Sequence, residues 1–274
     1  MHPFGERIEK SFPKWYTDSQ RFEEGRGCVM ALERLDKLLA AQGMESRREV
    51  KEKIRRGLVL VNGAAARSPD LKIDPDRDQV TVEGTPVLLK KNLYLMLNKP
   101  QGVVSATEDP HQPTVVDLVP QELRRKGLFP AGRLDKDTEG FVLITDDGSF
   151  AHRILSPKNH VPKTYLARLD RAIDPSVAEE FQKGVLLNGE DQCSPAKLTI
   201  LEQGDSPLVE VVIHEGMYHQ IKRMFQRFGY QVVALKRIRM GGLFLDESLP
   251  LGACRELTPA ELVQITQGED KPSP

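Results

Sequence analysis

The sequence predicts an α+β protein, in which a small N-terminal helix–helix–strand module precedes a larger domain with a central, largely antiparallel β-sheet. In the first part, apolar residues at helical spacing give way to short β-type segments that end in turn residues. In the second part, β-type runs follow one another without the regular strand–helix alternation of a parallel α/β fold. These runs are LYLMLNK, FVLIT, KTYLARL, LVEVVIH and YQVVALKRIRM.

The 274 residues divide into four segments. Residues 1–30 are polar and lack periodicity, so we expect them to be poorly ordered, with Met30 as a hypothetical physiological start. The remaining segments are the small module at 31–90, the larger domain at 93–262 and a tail at 263–274. A polar linker without apolar anchors, Lys90–Asn92, joins the two domains.

The composition indicates a soluble cytoplasmic protein. The net charge of −1 excludes a chain whose whole surface attracts nucleic acid, so any such affinity must come from local clusters. Cys28, Cys193 and Cys254 are odd in number and widely spaced, which fits neither a disulfide framework nor a metal site. No apolar run approaches the roughly 18 residues that a membrane span needs, and the N-terminus lacks a secretory signal.

Two helices open the small module. The first carries an apolar stripe and stops at Gly43, and the second begins with a capping box formed by Ser46 and Glu49. The stripe of the first helix is Leu35, Leu38 and Leu39. The strand LVLVNG then runs into an Asn-Gly turn, and DQVTVEG forms another strand.

The second helix of the module carries a basic stripe. At about 100° per residue, Arg47, Arg48, Lys51 and Arg55 fall within one quadrant of this helix. Such a stripe is either a phosphate-binding surface or an ordinary solvated helix face.

The wider pattern favours phosphate binding. RLDKLLAAQGMESRREVKEKIRRGLVLVNG, within residues 32–85, resembles the RNA-binding module first known from ribosomal small-subunit protein four. The resemblance implies RNA contacts by the following residues: Arg34, Lys37, Arg47, Arg48 and Lys51.

The acidic stretch GRLDKDTEGFVLITDDG, residues 132–148, has three interpretations: a calcium loop, a phosphoryl-transfer Asp pair, or a loop that presents one reactive carboxylate. A calcium loop needs flanking helices and a final Glu, whereas Asp146 holds that position after a β-type run. A phosphoryl-transfer pair should follow a strand, but here the strand comes after the carboxylates. The third interpretation places Asp135 beside Arg133, between Gly132 and Gly140.

The other acids of this stretch have structural interpretations. Asp146 and Asp147 are typical of a turn and a helix N-cap that lead into SFAHRIL. Asp137, with Thr138, would satisfy amides of the loop.

A third element, HEGMYHQIKRMFQRFG, predicts an amphipathic helix within residues 214–229. Its buried stripe is Ile221, Met224, Phe225 and Phe228. Tyr218, His219 and Lys222 share another face, so Lys222 either points into a cleft or is an exposed lysine beside a packed tyrosine. Tyr165, on the strand KTYLARL, either packs in the core or offers its ring to a base.

Together these motifs resemble the pseudouridine synthases of the RsuA type, which modify ribosomal RNA and carry an attached module of the kind described above. The resemblance rests on LNKPQGVVSATEDP, AGRLDKDTEGFVLITDDG, HRILSPKNHVPKTYLARL, EGMYHQIKRMF and LKRIRMGGLFL, which span most of residues 94–260. It implies that Asp135 is the catalytic aspartate, that Tyr165 stacks on the target base and that Lys222 pairs with the aspartate. Leu235 would line the pocket, whereas Met217 departs from the Arg or Lys that relatives often carry there.

The resemblance also sets expectations for substrate and partners. We expect Arg133, His219 and Arg223 to contact RNA. The reaction converts uridine to pseudouridine without redox change, so no cofactor or metal is expected, and the partner is ribosomal RNA bound by a monomer. HQIKRMF is closer to enzymes acting on uridine 516 of 16S rRNA than to those acting on 23S rRNA. The alternatives are 23S rRNA as substrate, or a non-catalytic assembly factor that only binds rRNA.

Overall fold

The computed structural model describes residues 32–42, 46–75, 77–87, 89–156, 159, 161–187 and 191–267. The predictions for residues 1–30, for the helix stop at Gly43 and for the end of the tail lie outside these residues. Two compact units are present. The N-terminal unit is the described part of Gln20–Leu93 together with Pro120–Leu128, and the C-terminal unit is Tyr94–Val119 with the described part of Phe129–Pro274. In the described ranges, no helix is long and apolar enough to cross a membrane.

The N-terminal unit packs two helices against short strands. Its elements are β1 (Glu33–Arg34), α1 (Leu35–Ala41), α2 (Arg47–Arg55), β2 (Val59–Val61), β3 (Ala64–Ala65), β4 (Lys72–Ile73), β5 (Val80–Val82) and β6 (Thr85–Val87). Strand β1 pairs with β4, and the other four form a sheet in the order β3-β2-β5-β6. The core contains the predicted stripe of α1 together with Val50 and Ile54 of α2.

Local sequence signals of this unit are confirmed. The Ser46 side chain accepts from the Glu49 amide and the Glu49 side chain accepts from the Ser46 amide, which is the predicted capping box. Asn62 and Gly63, with φ of 51° and 81°, form the hairpin turn between β2 and β3.

Polar contacts within the N-terminal unit hold the predicted linker, which has no apolar anchor of its own. Gln42 Nε2 donates to the Lys90 carbonyl at 3.0 Å, and Arg125 Nη1 donates to the same oxygen at 2.9 Å. Lys91 Nζ lies 3.3 Å from Glu33 Oε1. Polar side chains distant in sequence hold this segment, and composition alone does not reveal them.

The C-terminal unit is built on one mixed sheet. Its elements are β7 (Tyr94–Lys99), β8 (Phe129–Ala131), β9 (Glu139–Thr145), α3 (Gly148–Leu155), β10 (Lys163–Leu169), α4 (Val177–Lys183), β11 (Leu186–Leu187), β12 (Asp191–Gln192), β13 (Lys197–Glu202), β14 (Leu208–Ile213), α5 (Gln220–Arg227), β15 (Val232–Met240), β16 (Leu243–Phe244), β17 (Cys254–Glu256) and α6 (Pro259–Thr266). The main sheet has the order β13-β14-β10-β15-β9-β7-β17, with β8 on β9 and β16 on β15. All five predicted β-type runs are strands of this sheet, so the α+β prediction is confirmed.

The strands β9 and β15 meet in the one parallel pairing found among the described strands of this sheet. Gly140 of β9 lies opposite Arg237 of β15 and has a φ of 102°. A Cβ atom at Gly140 would stand 2.2 Å from the Arg237 carbonyl oxygen, so only glycine permits this approach. The pairing joins the acidic loop before β9 to the strand that carries Leu235.

Helices α3 and α6 pack on the sheet in an apolar cluster that includes Phe141 and Leu143 of β9 and Ile154 of α3. The Asp147 side chain accepts from the Phe150 amide, which confirms the predicted N-cap of α3. Helix α6 continues to Thr266 and buries Ile265 completely. The larger domain therefore extends past its predicted end at 262, because part of the predicted tail 263–274 packs in the core.

Candidate active site

Asp135 lies in the loop between β8 and β9, and a buried lysine holds this loop in place. Lys99 Nζ, at the end of β7, donates to the carbonyl oxygens of Thr138 and Lys136 at 2.8 and 3.3 Å. The Lys99 side chain is fully buried, and desolvation lowers its pKa to about 8 although Asp137 and Asp135 act in the opposite direction. The loop thus presents its carboxylates from a fixed backbone.

Lys222 of α5 lies between two of these carboxylates. Its Nζ atom is 3.1 Å from Asp135 Oδ2 and 2.6 Å from Asp137 Oδ1. Burial alone would lower the pKa of Lys222, but the hydrogen bonds to Asp137 and Asp135 outweigh it and raise the pKa above its ordinary value. Lys222 is therefore an ammonium ion paired with Asp135, and the alternative of a merely exposed lysine does not describe it.

Asp137 has a second contact beyond the one expected. Its carboxylate accepts a hydrogen bond from a loop amide, its own, and it also makes the shorter of the two contacts to Lys222. Burial opposes ionisation of Asp137, but Lys222 lowers its pKa below the ordinary value. Asp137 is 71% exposed whereas Asp135 is 27% exposed, so only Asp135 faces the interior of the site.

Tyr218 and His219 precede helix α5 rather than sharing a face of it. His219 has a φ of 49°, in the left-handed region, so the helix begins only at Gln220. This geometry brings His219 Nε2 to 3.6 Å from Asp135 Oδ1. The Tyr218 ring stacks on His219 at a centroid distance of 3.8 Å and is 72% exposed, so the alternative of an exposed lysine beside a packed tyrosine does not hold.

A cavity of about 640 Å³ opens over Asp135. Its lining includes six of the predicted site residues: Arg133, Asp135, Tyr165, His219, Lys222 and Leu235. Tyr165 is 7% exposed, so most of its surface packs in the sheet while the rest borders the cavity. Arg223 is not part of this lining and forms an ion pair with Asp191 at 2.8 Å.

Two cavity residues, Arg237 and Lys163, were not singled out from the sequence. Arg237 is 3% exposed, and its Nε donates to the Phe141 carbonyl at 2.7 Å while Nη1 lies 3.5 Å from the Tyr165 hydroxyl. Desolvation and the charge of Arg237 lower the pKa of Lys163 to about 8. Strand periodicity could have found both, because each lies two positions from a residue that was identified, Leu235 or Tyr165.

The basic residues predicted to bind RNA lie on the N-terminal unit. Arg34, Arg47 and Lys51 converge on the carboxylate of Asp36, and Lys37 pairs with Glu33 at 3.1 Å. Arg48 is exposed on α2.

The arrangement over the sheet is suited to chemistry at a sugar or a base. A partly shielded carboxylate in contact with an ammonium is able to act as a nucleophile or a base, while an aromatic and an aliphatic side chain border the same cavity. One cavity therefore brings together a carboxylate, an ammonium, an aromatic ring and an aliphatic side chain.

Comparison with known proteins identifies the class. The model of the family described as RNA pseudouridylate synthase matches residues 93–227, and the S4 domain model matches residues 33–87. The chain belongs to the RNA pseudouridylate synthases, in the RsuA-type group with an N-terminal S4 domain. It is therefore an isomerase that acts on RNA, as the sequence motifs predict.

Individual relatives are similar along most of their length. An uncharacterized RNA pseudouridine synthase of Bacillus subtilis (strain 168), YtzG, is 49% identical over 84% of this chain and 96% of its own. The ribosomal small subunit pseudouridine synthase A of Escherichia coli (strain K12) is 43% identical over 85% of this chain and 99% of its own. A crystal structure of a pseudouridylate synthase superimposes with a TM-score of 0.60 at 39% identity, covering 85% of this chain and 99% of that one.

Proposed function

We propose that this enzyme converts one uridine of 16S rRNA, of the uridine-516 type, to pseudouridine, with Asp135 as the essential carboxylate. The observation that carries the catalytic part is the contact of 3.1 Å between Lys222 Nζ and Asp135 Oδ2 at the wall of the cavity. The choice of 16S rRNA is supported by the 43% identity to an enzyme named for the small ribosomal subunit. The same reaction on 23S rRNA is the second candidate.

The reaction needs no external reactant. The C1′–N1 glycosidic bond breaks, the uracil rotates, and C5 joins C1′, while the proton that leaves C5 balances the one that N1 gains. Asp135 would start this sequence as a nucleophile or a base, and the Lys222 ammonium, 3.1 Å away, would orient its carboxylate. No step in this balance oxidises or reduces the substrate.

The target nucleotide must leave its stack to reach Asp135. Unstacking costs a few kcal/mol, and stacking on an aromatic ring such as Tyr165 returns about 1–3 kcal/mol per base. The cavity of about 640 Å³ is in the range of sites that enclose small ligands. Leu235, 5% exposed on β15, would exclude water from the base beside Tyr165.

Affinity for the RNA would come mainly from outside the cavity. The cationic side chains of the S4 domain would bind phosphates, with Arg133 and His219 contacting the nucleotides beside the target. Arg223 would contribute only after release from Asp191.

The first prediction concerns the carboxylate itself. Asp135→Asn should abolish pseudouridine formation while RNA affinity stays near that of the wild type, because the amide is neither nucleophile nor base. The measurement is chemical mapping of pseudouridine on 16S and 23S rRNA transcripts, combined with equilibrium RNA binding. Asp205→Asn, at an exposed position before β14, is the matched control and should retain full activity.

The outcomes separate the candidates. Substantial turnover by Asp135→Asn would refute the role of this residue. Conversion of 23S rRNA alone by the wild-type enzyme would replace the 16S proposal with the second candidate. RNA binding without conversion of any uridine would favour a non-catalytic assembly factor.

A further inference from the structure

Asp36 of the S4 domain is a carboxylate with no solvent exposure that contacts three cationic side chains. Arg34 approaches it with two nitrogens, Nε at 3.0 Å from Oδ1 and Nη2 at 3.2 Å from Oδ2. Arg47 Nε lies 3.1 Å and Lys51 Nζ 3.8 Å from Oδ2. One acid therefore connects residues from β1 and α2.

The cations remain accessible although the carboxylate is not. The side chains of Arg34, Arg47 and Lys51 are 45%, 54% and 39% exposed, whereas that of Asp36 is 0% exposed. Arg47 uses only Nε in its contact, so among the described residues both terminal nitrogens of its guanidinium remain available to donate to another anion. The cluster therefore directs hydrogen-bond donors outward while its one acid lies beneath them.

The arrangement of charge matters here because the total charge of the domain is small. Residues 33–87 contain eleven Lys and Arg against ten Asp and Glu. A surface that is nearly neutral overall has no long-range attraction for RNA, so affinity depends on where the cations are held. Burial alone would raise the pKa of Asp36, but its bonds to Arg34 and Arg47 lower it, so the carboxylate is charged at neutral pH.

We propose that Asp36 is a positioning residue that pre-organises Arg34, Arg47 and Lys51 into one binding site for RNA phosphate groups. The inference rests on the proposed RNA binding by this domain. It adds a residue, Asp36, whose negative charge would by itself repel RNA phosphates. Three cations brought close together repel one another, and the carboxylate between them offsets this repulsion. It also fixes the guanidinium planes, so that less side-chain entropy is lost when a phosphate binds.

The simple alternative is that Asp36 merely neutralises its partners. In that case its removal would add positive charge and strengthen RNA binding. Pre-organisation predicts the opposite sign, and this difference makes the inference testable.

The first test replaces guanidinium groups without changing charge. Arg47→Lys keeps the cation but removes the Nε donor that Asp36 orients, so RNA affinity should fall about three- to tenfold. Arg56→Lys, at the exposed C-cap of α2, lies outside the predicted RNA contacts and should leave affinity unchanged. The measurement is equilibrium binding of the full-length protein to a fluorescently labelled 16S rRNA fragment containing uridine 516 and to an unrelated RNA stem-loop.

The second test removes a negative charge at two places. Asp36→Asn should weaken binding to both RNAs about three- to tenfold, although the protein becomes more positive. Glu52→Gln removes an equal charge from an exposed position of α2, where Glu52 lies 3.9 Å from Arg55, and should leave binding equal or tighter. Circular dichroism and thermal melting establish whether Asp36→Asn is folded at the assay temperature. Where it is not, the comparison of Arg47→Lys with Arg56→Lys decides.

The outcomes distinguish this inference from the proposed function. Wild-type affinity in both Arg47→Lys and Asp36→Asn, or tighter binding by Asp36→Asn, would overturn the inference. The proposed function would be unaffected, because pseudouridine mapping tests it independently. Loss of affinity in Arg47→Lys with none in Arg56→Lys supports the inference. A wild-type chain that binds neither RNA would overturn RNA binding by this domain and the inference with it.

Discussion

At the scale of single residues, Lys222 has two carboxylate partners with different exposure. Asp135 is the more enclosed, and Asp137 is largely in solvent although its contact is shorter. An ion pair with an exposed carboxylate contributes little free energy, and Asp135 lines the cavity whereas Asp137 does not. We therefore expect the pair of Lys222 with Asp135 to be the one that matters for chemistry.

Substitutions of Lys222 and Asp137 should separate these two contacts. Lys222→Met should lower kcat about 100-fold or more, because it removes the charge that holds the Asp135 carboxylate. Asp137→Asn should stay within about tenfold of the wild type, because the exposed pair is weak. Single-turnover kinetics on saturating RNA measure both, and an equal loss in the two variants would contradict the assignment.

For single residues, the sequence predicts which residues belong to the site better than it predicts the contacts that their side chains make. Asp135, Tyr165, Lys222 and Leu235 are predicted from motifs, and all four border one cavity. The contact of Asp137 with Lys222 was missed because loop spacing does not define the direction in which a side chain points. The left-handed backbone of His219 was likewise not predicted, because the periodicity argument treated His219 as already part of the helix.

At the scale of elements, the parallel pairing of β9 with β15 assembles the site. Asp135 precedes β9, and Leu235 and Arg237 lie on β15, so the register of these two strands sets the distance between the carboxylate and the pocket wall. Gly140, at this pairing, has no side chain, so a hydrophobic pattern in the sequence does not reveal its role. Five strands were predicted from their composition, but their order and this parallel contact were not, because both depend on long-range packing.

Gly140→Ala should destabilise the protein by about 3 kcal/mol, because a β-carbon cannot coexist with the Arg237 carbonyl and φ is positive. Gly148→Ala is the matched control, since the space around Gly148 is open and it is the first residue of α3. That variant should be neutral or stabilising by up to about 1 kcal/mol. Chemical denaturation gives both free energies of unfolding, and equal values for the two variants would show that the close approach is relaxed in solution.

At the scale of the whole molecule, binding to a polyanion coexists with a net charge of −1. The cations predicted to contact RNA in the S4 domain are few, and three of them share one acid. Domain classes and the basic helix were predictable from sequence patterns. The convergence on Asp36 was not, because it joins residues of separate elements.

The salt dependence of RNA affinity should reflect this small number of contacts. Five phosphate contacts would give a slope of log affinity against log salt of about −3.5 to −4.5. Binding titrations between low and moderate salt measure it, with an Arg34→Ala/Arg47→Ala double variant expected to reduce the magnitude of the slope by about 2. A slope near zero, or one that the double variant leaves unchanged, would place the RNA contacts elsewhere.

The contact between Gly140 and Arg237 also bears on how the molecule is made. The two residues are almost a hundred positions apart, and pairings of such long sequence separation form late and slowly during folding. During synthesis, the cavity forms only after β15 has left the ribosome. The strands of the S4 domain end at Val87, so this domain can fold much earlier. In the nascent chain, the domain that carries the predicted RNA contacts can therefore fold before the catalytic cavity forms.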